Sequence, residues 1–228
     1  MTIPAFNGSS GTKQQVLDLI AAHKPEPILQ SNMLSAAEQG CPENCNLHGS
    51  NFAEQAIKIG IPVELCFAHA TLFHHLPDQR KHILNEFWHS VNVNANLDRV
   101  VPSLCHWLLT DKELGVIQYV KKNNIVEVLI EVAELCRLNC SEEANWMELR
   151  IRLRALRTSN FRNLPDSQGI GLAGDICLFN TSPWIMTPTL NTWAGYTQGL
   201  SSKLQTSTES RYAAAWMKLL ALIADSST

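Results

Sequence analysis

The chain has 228 residues, enough for one sizeable core. A hydrophobic fraction of 45% against 17% charged residues excludes a disordered polymer. A net charge of −3 gives no global attraction to nucleic acid or acidic lipid, so any such affinity has to be local.

In chain order the signals are helical. Thr12 is placed to cap a first helix in which Val16, Leu17 and Ile20 share a face, and Pro25 and Pro27 close it or begin a second helix toward Ala37. A polar loop from Gly40 to Ser50 follows. Asn51 is placed to cap a short helix ending at Gly60, where a left-handed residue is wanted. Pro62 and Pro77 fit the first turns of two consecutive helices over 60–89. Asn92 to Asn96 then breaks the pattern, and Asp98 and Asp111 are candidate caps for two further helices, through Trp107 and Leu109 and through Val116, Ile117 and Val120.

The strongest periodicity comes next. Ile125, Val128, Leu129, Val132 and Leu135 form one apolar stripe after Asn124, and Trp146, Leu149, Leu153 and Leu156 form another after Ser141. Between 160 and 205 six glycines and prolines, from Gly169 to Gly195, predict short helices and long loops. A final helix spans about 208–224, carrying Tyr212, Trp216, Leu219, Leu220 and Ile223. With no alternating strand pattern and no fixed-period repeat, the expected fold is all-α, a single-domain array of roughly eight to ten helices. No run of about 18 apolar residues predicts a membrane span, and the beginning of the chain lacks the charged and apolar regions of a signal peptide. An odd number of cysteines spread through helical segments predicts reduced thiols and a cytoplasmic setting.

Between Cys41 and His106 lie four of the seven cysteines and seven of the eight histidines. Cys41, Cys45 and His48 place two thiols and an imidazole in one loop, and Cys66 with His69 adds two donors one helical turn apart. Together they make a candidate site for zinc, which takes four such ligands, although the spacing is not that of a zinc knuckle. Buried cysteines that act as small apolar residues give the same pattern. His82, Glu86 and His89 share one helix face and match half of a di-iron carboxylate motif, whose second half is missing; a polar, solvated face explains them equally. Cys105-His106 and Cys66/His69 lack the strained turn of an activated nucleophile, and Gly169, Gly171 and Gly174 imitate a dinucleotide-binding turn without the preceding strand. Five of the nine arginines fall within 150–162; Arg150, Arg154 and Arg157 share a face that suits a phosphate or an acidic partner, or is merely solvated.

The framework Gly60-Ile-Pro62, Leu65, Phe73, Leu76-Pro77, Phe87, Leu97 and the segment from Trp107-Leu-Leu-Thr-Asp111 through Gly115-Val-Ile117 resembles a helical family of bacterial and phage genomes with no assigned activity. Arg211-Tyr-Ala-Ala-Ala-Trp216 with Leu219 and Leu220 is similar to the alanine- and tyrosine-rich helix that ends that family. The resemblance covers about 60 residues. It implies the fold and carries no catalytic or metal residue, because the family pattern is acidic at His69, His74 and His89 and small and apolar at Cys66.

No complete catalytic constellation emerges, which points to a non-enzymatic protein without cofactor that binds another macromolecule, as an immunity-type or phage-related accessory protein does. The partner expected is a protein rather than a membrane. Zinc or iron binding through Cys41, Cys45, His48, Cys66 and His69, and anion or nucleic-acid binding through Arg150, Arg154 and Arg157, are the alternatives.

Overall fold

The computed structural model describes residues 3–22, 56–160, 164–179, 182–196 and 207–226. Among them every regular element is helical, as the periodicity requires: α1 Ser10–Ala22, α2 Val63–His75, α3 Arg80–Ser90, α4 Val100–Thr110, α5 Asn123–Leu138, α6 Glu143–Asn160, α7 Leu164–Ile176, α8 Met186–Gly195 and α9 Thr208–Asp225. No described helix is long and apolar enough to cross a membrane. The chain divides into two compact units, residues 1–100 with 216–228, and residues 101–215.

In the first unit, α1, α2 and α3 pack with the C-terminal part of α9. Leu65, Leu72, Ile83 and Phe87 are fully buried, each contributing about 1.5–3 kcal/mol by leaving water. His69 joins this core rather than solvent. It is 1% exposed, and its ring stacks on Phe87 with centroids 4.2 Å apart, 6.2 Å from both Trp88 and Trp216.

The cap of α1 is Ser9, whose Oγ accepts from the Thr12 amide at 3.1 Å, so the helix starts ahead of the expected Thr12. Phe6 adopts a left-handed φ of 54°, unusual for an aromatic residue. Its fully buried ring, 6.5 Å from Trp88 with Lys13 Nζ 5.8 Å above it, holds that conformation in place. Lys13 also donates to the carbonyls of His89 and Val91, at 3.1 and 2.7 Å, a cation at the carbonyl end of α3.

In the second unit α7 packs against α5, α6 and α8. The stripe predicted on α5 is buried at Ile125, Val128, Leu129 and Val132, and is completed by Cys136 rather than by half-buried Leu135. Asn139 ends α5 in the left-handed region, its amide bonded to the Cys136 carbonyl and that of Cys140 to Leu135, both at 3.0 Å. Trp146 and Leu149 of α6 are buried against this layer, and the Trp146 indole donates to the Cys140 carbonyl at 2.9 Å.

Two expectations change in this unit. The helix foreseen after Asp111 is a turn followed by a single 3-10 turn, Val116–Gln118. Asp111 Oδ1 accepts from the amides of Glu113 and Leu114, at 3.0 and 2.9 Å, and a Cβ at Gly115 would overlap the Asp111 backbone, so the chain doubles back instead of winding on. The buried Arg211 clamps this turn: Nη2 donates to the Leu114 carbonyl at 2.8 Å while the guanidinium lies 4.2 Å over Trp193, whose indole shares that carbonyl at 3.2 Å. Conversely, the Gly-Ile-Gly-Leu-Ala-Gly run read as a loop is the body of α7. Buried Ile170, Leu172, Ala173 and Ile176 hold it helical against the glycine propensity, and Gly169 lets Val120 approach where a Cβ would stand 3.0 Å away.

Candidate binding cleft

The head of α2 carries a small cleft in the first unit. Its making starts at Gly60, with φ of +69°: the Gly60 amide bonds to the Ile57 carbonyl at 3.1 Å and that of Ile61 to Ala56 at 2.9 Å, the paired bonds of a glycine-terminated helix. A Cβ here would overlap the Pro4 carbonyl oxygen, so glycine is required both for the turn and for the approach of the N-terminal segment. Pro62 then caps α2, its carbonyl accepting from the amides of Leu65 and Cys66 at 3.1 and 3.2 Å.

Two backbone bonds, Ala5 to the Ala95 carbonyl at 3.1 Å and Asn94 to the Ala5 carbonyl at 3.2 Å, fasten the N-terminal segment to the loop before α4. That loop presents Asp98. The helix itself begins two residues later at Val100, so Asp98 is not its cap; it lines the cleft, and its amide is held by Asn96 Oδ1 at 3.1 Å.

The resulting space is about 260 Å3, lined by Ile3, Ile57, Ile61, Val63, Glu64 and Asp98 among others. Ile3 and Ile57 are exposed over half their surface, a clear excess for isoleucine. Burial pushes the Glu64 carboxyl above its usual range; its own backbone amide opposes this, and the charge of Asp98 adds to it. Two carboxylates within mutual influence on partly apolar walls favour a cation there.

The residues singled out by spacing are distributed otherwise. Cys41, Cys45 and His48 lie outside the described residues. Cys66 is buried on α2, where burial and Glu64 push its thiol far above the ordinary range, and His69 is packed in the aromatic core. Among the described residues no group of three or more His, Cys, Asp or Glu side chains is arranged to hold a metal ion. On α3, His82 and Glu86 pair at 2.9 Å on an exposed face, and Glu86 Oε2 accepts from the Trp216 indole at 3.3 Å.

The basic face of α6 is partly neutralised. Arg150 pairs with Glu143, and Arg152 binds Glu131 through both terminal nitrogens, at 2.5 and 2.8 Å, which holds Glu131 below its usual range. Arg154 and Arg157 are exposed, and Arg157 acts electrostatically on Asp175 at the end of α7. The three arginines expected to share a ligand thus differ in exposure and company.

Glu64 and Asp98 were not foreseen. Their signal is tertiary, since they are distant in sequence and come to line one cleft only in the folded chain. Comparison of the chain with family models, with curated proteins and with solved structures finds no match.

Proposed function

We propose that the chain acts by binding a protein partner, and that the cleft at the head of α2 receives a lysine or arginine side chain flanked by apolar residues. The observation that carries this reading is the pairing of Glu64 with Asp98 on one apolar-walled cleft. A cation placed between them offsets their repulsion and the desolvation of Glu64, while Ile3 and Ile57 cover the neighbouring apolar surface. The size agrees: at about 260 Å3 the cleft falls below the roughly 300–1,000 Å3 of small-molecule sites. It has room for a side chain.

The test is fluorescence polarisation with three labelled peptides that carry Lys, norleucine or Glu between leucines. The lysine peptide is expected to bind best, more weakly as pH falls through the raised range of Glu64, and E64Q/D98N is expected to weaken it at least tenfold (about 1.4 kcal/mol). Equal binding of the lysine and glutamate peptides, or an unchanged affinity in the double variant, refutes the reading.

A further inference from the structure

The solvent side of α6 is not uniformly polar. Trp146, Leu149 and Leu153 are buried, and on the opposite side Ala144, Met147, Ile151 and Ala155 are all exposed. At about 100° per residue the other three stand within roughly 40° of Ile151, so the four form one stripe along the helix. Met147 and Ile151 keep 49% and 62% of their surface in water. Single exposed apolar residues are ordinary, whereas a stripe in helical register calls for a cover. Charge is segregated along the same helix, with Glu143 and Glu148 first and Arg150, Arg152, Arg154 and Arg157 after them. The helix dipole favours that order at the two ends, but it does not place apolar side chains in water between them.

We propose that this face binds a second copy of the chain, the two α6 helices running antiparallel about a two-fold axis at Ile151. Such an axis sets each residue level with the one equally far beyond Ile151 on the other copy. Ile151 then meets the partner's Ile151. Met147, four residues before the axis, meets the partner's Ala155, four residues after it, so a large side chain lies beside a small one. None of these residues lines the cleft at the head of α2.

Charge complementarity selects both the occupant and its direction. On one edge of the stripe Glu143 comes within reach of the partner's Arg154 and the partner's Arg157, and on the other Glu148 comes beside the partner's Arg152. A parallel pairing would instead set Glu143 against the partner's Glu143 and Arg157 against the partner's Arg157. Arg150 and Arg152 flank the axis and so lie nearest their own copies; they are the two that Glu143 and Glu131 already neutralise within the chain. With 18 residues, α6 is about 27 Å long, and one such face on another covers less than the roughly 1,600 Å2 of a standard interface. The dimer is therefore weak and depends on concentration.

The experiment is sedimentation velocity of the full chain, under reducing conditions, from about 5 to 500 µM. Wild type is expected to pass from monomer toward dimer as concentration rises. Ile151→Lys sets like charges against each other on the axis, and should move that passage to concentrations about tenfold higher or more with an unchanged circular dichroism spectrum. E143R and R154E/R157E should each weaken the dimer in the same way. An equimolar mixture of these two should restore it, because each copy then supplies the charge that the other needs. All four substituted positions are exposed, so the fold is expected to survive. A wild type that stays monomeric throughout, its stripe left to a different protein, overturns the proposal. So does a dimer that I151K leaves intact, or a mixture of the charge variants that associates no better than either alone.

Discussion

Replacing Asp175 by asparagine should stabilise the protein at neutral pH and do nothing in acid. The carboxyl stands near the end of α7, where the carbonyl dipoles disfavour a negative charge, and burial lifts its pKa from 3.8 to about 6 despite the opposing charge of Arg157. Because the folded value is the higher one, the unfolded chain gives up its proton first as pH rises. The penalty on the fold is absent below pH 3.8, grows between 3.8 and about 6, and is complete above that. A shift of this size corresponds to about 3 kcal/mol, and solvent screening of a half-buried group reduces it to about 1–2 kcal/mol. Urea denaturation of wild type and Asp175→Asn at pH 4 and 7.5 measures it directly, with the m-value as a check that the unfolded state is unchanged. The variant should be more stable at pH 7.5, and the gap should close toward pH 4. A less stable variant at pH 7.5, or a gap indifferent to pH, would show that Arg157 anchors the carboxylate and that desolvation does not dominate.

Gly60→Ala combines a left-handed φ, disfavoured by about 1–2 kcal/mol, with overlap on a backbone oxygen; a loss of at least 2 kcal/mol in denaturant titration is expected, and a loss under 0.5 kcal/mol contradicts the described turn. The Arg152–Glu131 pair is bidentate yet partly exposed. A double-mutant cycle should return about 0.3–1 kcal/mol at low salt and less at 0.5 M salt; a coupling that salt leaves unchanged is inconsistent with a screened surface pair.

The legible parts of the fold are those in which one helix carries its own message. On α5 the positions Ile125, Val128, Leu129 and Val132 declare a buried face, and the same phase reaches Cys136. Gly60 is legible because a left-handed terminus has few other occupants. Pro62 caps α2 from just outside it, and Pro77 opens a 3-10 turn, Pro77–Gln79, that leads into α3, so each proline stands ahead of its α-helix rather than in its first turn. The misreadings arise where distant residues decide. Asp111 announces a helix N-terminus, but the amides of Glu113 and Leu114 use its side chain to make a turn that Arg211 and Trp193 hold from far along the chain. Three glycines in α7 look like a loop until apolar neighbours on α5, α6 and α8 are set against them. The cleft was hidden for the same reason. The acidity of Glu64 depends on burial and on Asp98, and neither is a property of a local stretch of chain.

The last helix has a consequence for the order of events during synthesis. Tyr212 and Ala215 belong to the second unit, whereas Trp216, Leu219 and Ile223 belong to the first, where Trp216 lies 6.2 Å from His69. Residues 101–215 are contiguous and can condense as soon as they leave the ribosome. The first unit, begun earlier, cannot finish: its apolar face around His69 and Phe87 waits for a tryptophan made more than a hundred residues later. The first half to be translated is therefore the last to close, with its aromatic surface uncovered until α9 is made.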